Sequence, residues 1–386
     1  MRSKLAVLCA VAFVSFHPAA QAAAGFLAGA DFSGLAFFES QGIAYKEGGV
    51  VTDGIQILKN QGLNCVRLRL FTSSAAQAGS DPYNHINNTA YTVPLAARVK
   101  NAGLLLLLDF HYSDTWADPS HQATPAAWTN LDFPRLVQQM RAYNSNTIAT
   151  FAAAGAMPDY VQVGNEITSG MLWPLGKVRG NGGASWSRLG QLMKAAIQGI
   201  QDASTAAGKP MPKIIVHIDK GGNWGATQWF FDNLNAQTVP FDIIGESYYP
   251  FFQGSLDSLS NCLVNAAVRY GKPVIVAEGA FPWTNACPSA WTNHLYGFPP
   301  TPNGQVSFIA ALARIVKSVP NQLGAGFCYW GAEYQAANGV HEAGYNTSSF
   351  FDFNGNVLPV AGAVGGMAAP LYVKSHTSHG SQPPSR

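Results

Sequence analysis

Eight short apolar runs recur along the chain, all but one closing on a polar or aromatic residue. They are FLAGAD (26–31), CVRLRLF (65–71), LLLLLDF (104–110), YVQVGN (160–165), KIIVHI (213–218), FDIIGESY (241–248), KPVIVAE (272–278) and AGFCYW (325–330). Most of the runs are nearly continuous in apolar residues rather than alternating, the pattern of strands buried on both faces. Amphipathic stretches between them predict helices over about 52–61, 92–102, 132–154, 185–207, 226–236, 256–270 and 304–319, with entry signals near Asp53 and at Ser185. Such strands separated by helices form parallel β/α units. Eight of them in a chain of 386 residues predict an α/β fold, a single (β/α)8 TIM barrel over 25–370. A doubly wound sheet is the structural rival, but no Gly-rich phosphate loop follows the first run.

The ends of the chain read differently. Residues 1–24 have a basic start (Arg2, Lys4), an apolar stretch and a small-residue end, the pattern of a secretory signal peptide. Residues 371–386, LYVKSHTSHGSQPPSR, read as a disordered tail. A secreted protein, extracellular or periplasmic, is therefore expected. No other segment approaches the ~20 apolar residues of a membrane span. Net charge is +2, only 11% of residues are charged, and no basic run offers a surface for nucleic acid. Of five cysteines, removal of Cys9 with the leader leaves Cys65, Cys262, Cys287 and Cys328, whose spacing fits no zinc pattern. No cofactor, no metal and a monomer are expected.

Active sites of (β/α)8 barrels lie at the C-terminal ends of the strands. Here those ends carry Asp31, Arg67, Arg69, Asp109, His111, Asn165, Glu166, His217, Asp219, Tyr248, Tyr249, Glu278 and Trp330. Glu166, in VQVGNEITSG (161–170), and Glu278 stand out, because a charge at a buried strand end is costly unless paired or used. They close the fourth and seventh runs, roughly opposite each other across the mouth. A glycosidase needs such a pair, one carboxyl to protonate the leaving oxygen and one carboxylate to attack the anomeric carbon. Arg69 is expected to hold Glu278 ionised, with Tyr249 donating its hydroxyl to the same carboxylate. Asn165 is expected to bind the sugar 2-hydroxyl. Arg67, deeper and of the same parity, either joins the site or forms a buried structural ion pair. The alternative for both glutamates is a structural pairing with arginine.

The segments GADFSG (29–34), VRLRLF (66–71), LDFHYSDTWADPSHQATPAAW (108–128), VQVGNEITSGMLWPLG (161–176), IIGESYYPFFQG (243–254) and VIVAEGAFPW (274–283) resemble glycoside hydrolase family 53, of the clan A barrels. The resemblance runs in order through all eight strands, over about 25–360. It implies an arabinogalactan endo-β-1,4-galactanase acting with retention of configuration on β-1,4-galactan. Glu166 would be the acid/base and Glu278 the nucleophile. The chain departs from the family at Phe252 and Gln253, where Trp-His is usual. It also departs in the loop after the seventh strand, where some bacterial members bind calcium: residues 279–332 contain no Asp or Glu. PWTNACPSAW instead resembles the fungal form with its cysteine, whose usual partner is absent. Cys262 is expected at the same rim, which makes Cys262–Cys287 the expected disulfide, with Cys65 and Cys328 pointing into the barrel as thiols.

The remaining candidates are substrate contacts. Trp116, Trp128, Trp173, Trp224, Trp283 and Trp330 are expected as sugar platforms or as packing, with Trp330 at the central subsite. His111 and Asp114 are expected to bind sugar hydroxyls or to orient each other, and His217 and Asp219 to act similarly. Another β-glycan, such as mannan or xylan, and a non-catalytic sugar-binding barrel are the rival readings.

Overall fold

A computed structural model describes residues 25–179, 185–338, 340 and 344–369; the expected leader (1–24) and tail (371–386) lie outside them. Eight parallel strands close into one barrel. They are β1 (Leu27–Asp31), β2 (Cys65–Leu70), β3 (Leu105–Phe110), β4 (Tyr160–Val163), β5 (Lys213–Ile218), β6 (Ile243–Ser247), β7 (Val274–Gly279) and β8 (Gly324–Tyr329), each paired with its sequence neighbours, with β8 closing on β1. The predicted strands all form, within two residues at either end.

Seven crossover helices follow β1 to β7: α1 (Gly54–Asn60), α2 (Thr89–Asn101), α3 (Phe133–Ala153), α4 (Trp186–Ala206), α5 (Trp224–Ala236), α6 (Leu256–Tyr270) and α7 (Pro302–Lys317). Their starts are written in the sequence. Asp53, Asn88, Asp132, Ser185, Asn223, Ser255 and Thr301 each accept the backbone N–H three residues on, satisfying a donor the helix leaves free. Such a cap contributes about 1 kcal/mol. The apolar stripes of these helices, such as Leu136, Met140, Ile148 and Phe151 of α3, are buried against the barrel. Each contributes roughly 1.5–3 kcal/mol. Pattern reading misses the short elements: a helix at Leu35–Ser40, a hairpin of Lys46–Glu47 with Val50–Val51, and a helix at Ala75–Ser80.

Inside the barrel the chemistry changes with height. The lower storey is apolar, with Leu27, Cys65, Leu107, Ile215, Ile243, Ile275 and Cys328 in one cluster. A Cβ at Gly29 would lie 2.8 Å from Cys328 Sγ and 3.3 Å from Cys65 Cβ, so a glycine in β1 is what lets those two thiols meet. The upper storey is polar: Asp31, Arg67, Asp109, Gln162, His217, Ser247 and Glu278 are all buried. Buried charges of this kind persist only when paired and hydrogen-bonded.

Candidate active site

Glu166 sits just beyond β4, and the chain bends sharply to present it. Gly164 has φ +87°, and Glu166 itself is left-handed at φ +49°, ψ +46°. For a residue with a Cβ this conformation costs about 1–3 kcal/mol, sustained only where the surroundings fix it. Here the Glu166 N–H points at His217 Nδ1 (3.4 Å), and Ser247 Oγ donates to Glu166 Oε1 (2.6 Å). Burial, followed by the charge of Glu278, raises the Glu166 pKa well above the usual carboxyl range.

Glu278 reaches the interior through an irregularity. Gly245 pairs with Ile275 and Glu246 with Val276, but Ser247 pairs with Glu278, so the β6–β7 register slips by one residue. Ala277 keeps the inward parity of Ile275, and the slip turns Glu278 inward as well. Tyr249 Oη donates to Glu278 Oε1 at 2.8 Å, and Arg67 Nη2 lies 3.3 Å from Oε2. Burial raises the Glu278 pKa to about 7 even with Arg67 and the Tyr249 hydrogen bond pulling it down. Of the two carboxyls Glu166 is the one lifted further, because it has no cation beside it and faces the other's charge.

The supporting arginine is Arg67, which corrects the expectation for Arg69. Arg67 joins Asp31 (2.7 Å), Asp109 (2.8 Å), Asn165 Oδ1 (2.9 Å) and Glu278. Burial opposes its charge, but Asp109, Glu278 and Asp31 outweigh that, so the guanidinium stays charged. Arg69 donates to Asn87, lies 3.3 Å from Asp31 and stacks 4.2 Å over the Trp116 ring. It supports an aromatic wall in which Trp116 meets Trp330, and Trp330 meets Tyr345 at 4.4 Å.

Other expected contacts resolve one by one. His111 is buried with Nε2 3.0 Å from Asp109 and Nδ1 accepting from Ala117 N, so neither ring nitrogen is left for a sugar. Asp114 accepts from Thr72, Gln77 and Ala126 N; it ties loops together and does not touch His111. His217 is fully buried, again no sugar ligand, whereas Asp219 lines the cleft, accepting from Thr168 and Lys220. Asn165 is committed to protein partners: Oδ1 accepts from Arg67, and Nδ2 donates to Ala117 O. Trp283 packs on Phe353 with its Nε1 on Asn346 O; Trp128 is buried against Tyr143, and Trp224 is half-buried beside Tyr270. Trp173 donates to Ser169 O beneath Lys177. The expected Cys262–Cys287 disulfide is not formed: Cys65, Cys262, Cys287 and Cys328 are free and buried. Cys262 Sγ is turned to Thr227 Oγ1 and Lys220 O behind the barrel wall.

Glu166 and Glu278 open together into a cleft of about 530 Å³ that Asp219, Tyr249, Phe252 and Tyr345 also line. Sequence reading missed three contributors. Ser247 shares the inward parity of Tyr249, but a serine carries no charge to draw notice. Gln162 has inward parity too, and it links Asp109, Asn165 and His217. Tyr345 comes from a loop with no periodic signal. Among the described residues no group of three or more His, Cys, Asp or Glu is placed to hold a metal ion.

Known proteins resemble this chain in sequence and fold. The model of glycosyl hydrolase family 53 matches residues 27–363. The arabinogalactan endo-β-1,4-galactanase of Humicola insolens is 37% identical over 312 residues, covering 78% of this chain and 88% of its own. The family 53 catalytic domain of Ignisphaera aggregans superposes with a TM-score of 0.80 at 33% identity, over 88% of this chain and 95% of that one. A structure from a study of two fungal β-1,4-galactanases gives 0.76 at 32% identity, over 87% and 98%. With a barrel of this order, paired inward glutamates and a match along nearly all the described residues, the chain belongs to glycosyl hydrolase family 53.

Proposed function

We propose that the protein is an exported endo-β-1,4-galactanase that cuts galactan and arabinogalactan side chains of pectin by double displacement on Glu166 and Glu278. The observation that carries the reading is the asymmetry of the pair: Arg67 and Tyr249 favour the ionised form of Glu278, while burial and that same charge favour protonated Glu166. These are the two states the reaction requires.

In the first step Glu278 Oε attacks the anomeric carbon as Glu166 gives its proton to the glycosidic oxygen. That oxygen leaves with the electron pair of the broken C–O bond. In the second step Glu166 takes a proton from water, whose oxygen attacks the anomeric carbon and displaces Glu278. Two inversions return the β configuration. Phe252 and Tyr345 offer ring faces along the cleft, and Asp219 a hydroxyl acceptor. The galactanase names of the relatives support the sugar, and the basic, apolar first 24 residues support export.

Hydrolysis of β-1,4-galactan followed by NMR should release the β-anomer first, and Glu278→Ala should regain turnover with azide, giving an α-azide. Turnover of mannan or xylan with none of galactan would overturn the substrate; an α-anomer product would overturn the mechanism.

A further inference from the structure

His217 and Ser247, both fully buried, stand in line behind Glu166. His217 Nδ1 faces two N–H donors, the Glu166 backbone amide at 3.4 Å and Gln162 Nε2 at 3.0 Å. A backbone amide can only donate, so Nδ1 accepts and the ring proton sits on Nε2. Asn165 Oδ1 is also 3.0 Å from Nδ1, and it already accepts from Arg67 at 2.9 Å, while the two Gln162 amide hydrogens go to Asp109 and to Nδ1. Burial, helped by the charge of Arg67, holds the His217 pKa down to about 3, so the ring is neutral. Its Nε2 lies 2.9 Å from Ser247 Oγ and donates to it. The Ser247 hydroxyl proton is thereby directed to Glu166 Oε1, 2.6 Å away.

We propose that Ser247, backed by neutral His217, is a positioning residue that reserves Glu166 Oε1 as an acceptor and so confines the transferable proton to Oε2. The donor chain runs one way, and an oxygen already receiving a hydrogen cannot present one along the same line. Among the described residues Ser247 is the one donor to this carboxyl. The proposal rests on Glu166 being the acid/base. During glycosylation the proton leaves Oε2 for the glycosidic oxygen, and the negative charge that appears on Glu166 is met by a hydrogen bond already in place. During deglycosylation Oε2 takes the proton back from water. Without Ser247 the proton would divide between two oxygens, one of them facing away from the substrate.

The test compares kcat/KM on β-1,4-galactan and on 2,4-dinitrophenyl β-1,4-galactobioside, whose leaving group needs no protonation. Ser247→Ala should lose roughly 10-fold or more on galactan and several-fold less on the aryl substrate, since acid catalysis matters only for the first. The hydroxyl stabilises the ionised form of Glu166, so its removal should also move the basic limb of the galactan profile to higher pH. Ser247→Thr, which keeps the hydroxyl, should restore both. Equal losses on the two substrates, or an unmoved basic limb, overturn the positioning role when Glu166→Ala itself shows the leaving-group split. If Glu166→Ala loses both substrates equally, the acid/base reading falls and takes this proposal with it.

Discussion

Arg67 lies 3.3 Å from Glu278 and also bridges Asp31 and Asp109, so one guanidinium ties three buried carboxylates to the barrel axis. Removing it would strand those charges. Breaking a buried pair from one side costs about 3–5 kcal/mol. Arg67→Met should lose at least that in urea denaturation, while Arg69→Met should lose less, because Arg69 pairs with a single carboxylate at 3.3 Å. Arg67→Lys should fold more readily, yet an ammonium cannot reproduce the planar fork across these acceptors. Its galactan turnover should drop on the order of 10²-fold or more, with the acidic limb of the pH profile moved up. Similar stability losses for the two methionine variants would contradict the assignment.

Tyr249→Phe removes the hydroxyl that donates to Glu278 at 2.8 Å. A hydrogen bond to a carboxylate favours its ionised form, so losing it raises the Glu278 pKa. On the proposed mechanism Glu278 must be ionised to attack, so the acidic limb of kcat/KM should shift to higher pH while the basic limb stays in place. At the optimum the loss should be roughly 10–100-fold, the equivalent of the about 1.5–3 kcal/mol carried by a hydrogen bond to a charge. A shift confined to the basic limb would mean that Tyr249 acts on the acid instead.

The barrel was legible because strands buried on both faces are predominantly apolar, and because the crossover helices begin on side chains that cap them. Glu166, Glu278 and the Tyr249 contact followed from strand-end position. The choice between Arg67 and Arg69 did not, since residues two apart on a strand share a face and differ only in height. Arg69 is drawn aside by Asn87 and Trp116, whose loops no periodicity locates. Parity alone would have turned Glu278 outward; the one-residue slip against β6 brings it in. The loop tryptophans show the same limit. Trp128 and Trp116 both follow β3, and only tertiary packing sends one into the core and the other to the mouth.

The cysteines give a chemical check on the rim. All four lie in buried positions, and burial raises the pKa of Cys262 and Cys287 and so disfavours the reactive thiolate. The protein lacking residues 1–24 should show no fast reaction with Ellman's reagent when folded and four thiols in guanidinium. Two thiols under denaturing conditions would establish a disulfide and reinstate the Cys262–Cys287 pairing as its first candidate.

Glu333, just past β8, should make stability depend on pH in a direction unusual for a carboxyl. It is fully buried, its Oε1 accepting from Gly34 N at 2.6 Å. Burial, then the charge of Asp31, pushes its pKa up to about 8, with Arg69 opposing. An unfolded glutamate titrates near ~4.3. Between those values the folded chain holds a proton that the unfolded chain has released. The contribution of this group is therefore complete below the unfolded pKa and fades as pH rises through the folded one. Glu333→Gln keeps an acceptor for Gly34 and removes the titration. Its unfolding free energy relative to the parent should rise from pH 5 to pH 8, by at most about 1.4 kcal/mol per pH unit for one proton. Urea denaturation of both proteins across that range measures the difference, and parallel curves would show that Glu333 is ionised in the folded barrel.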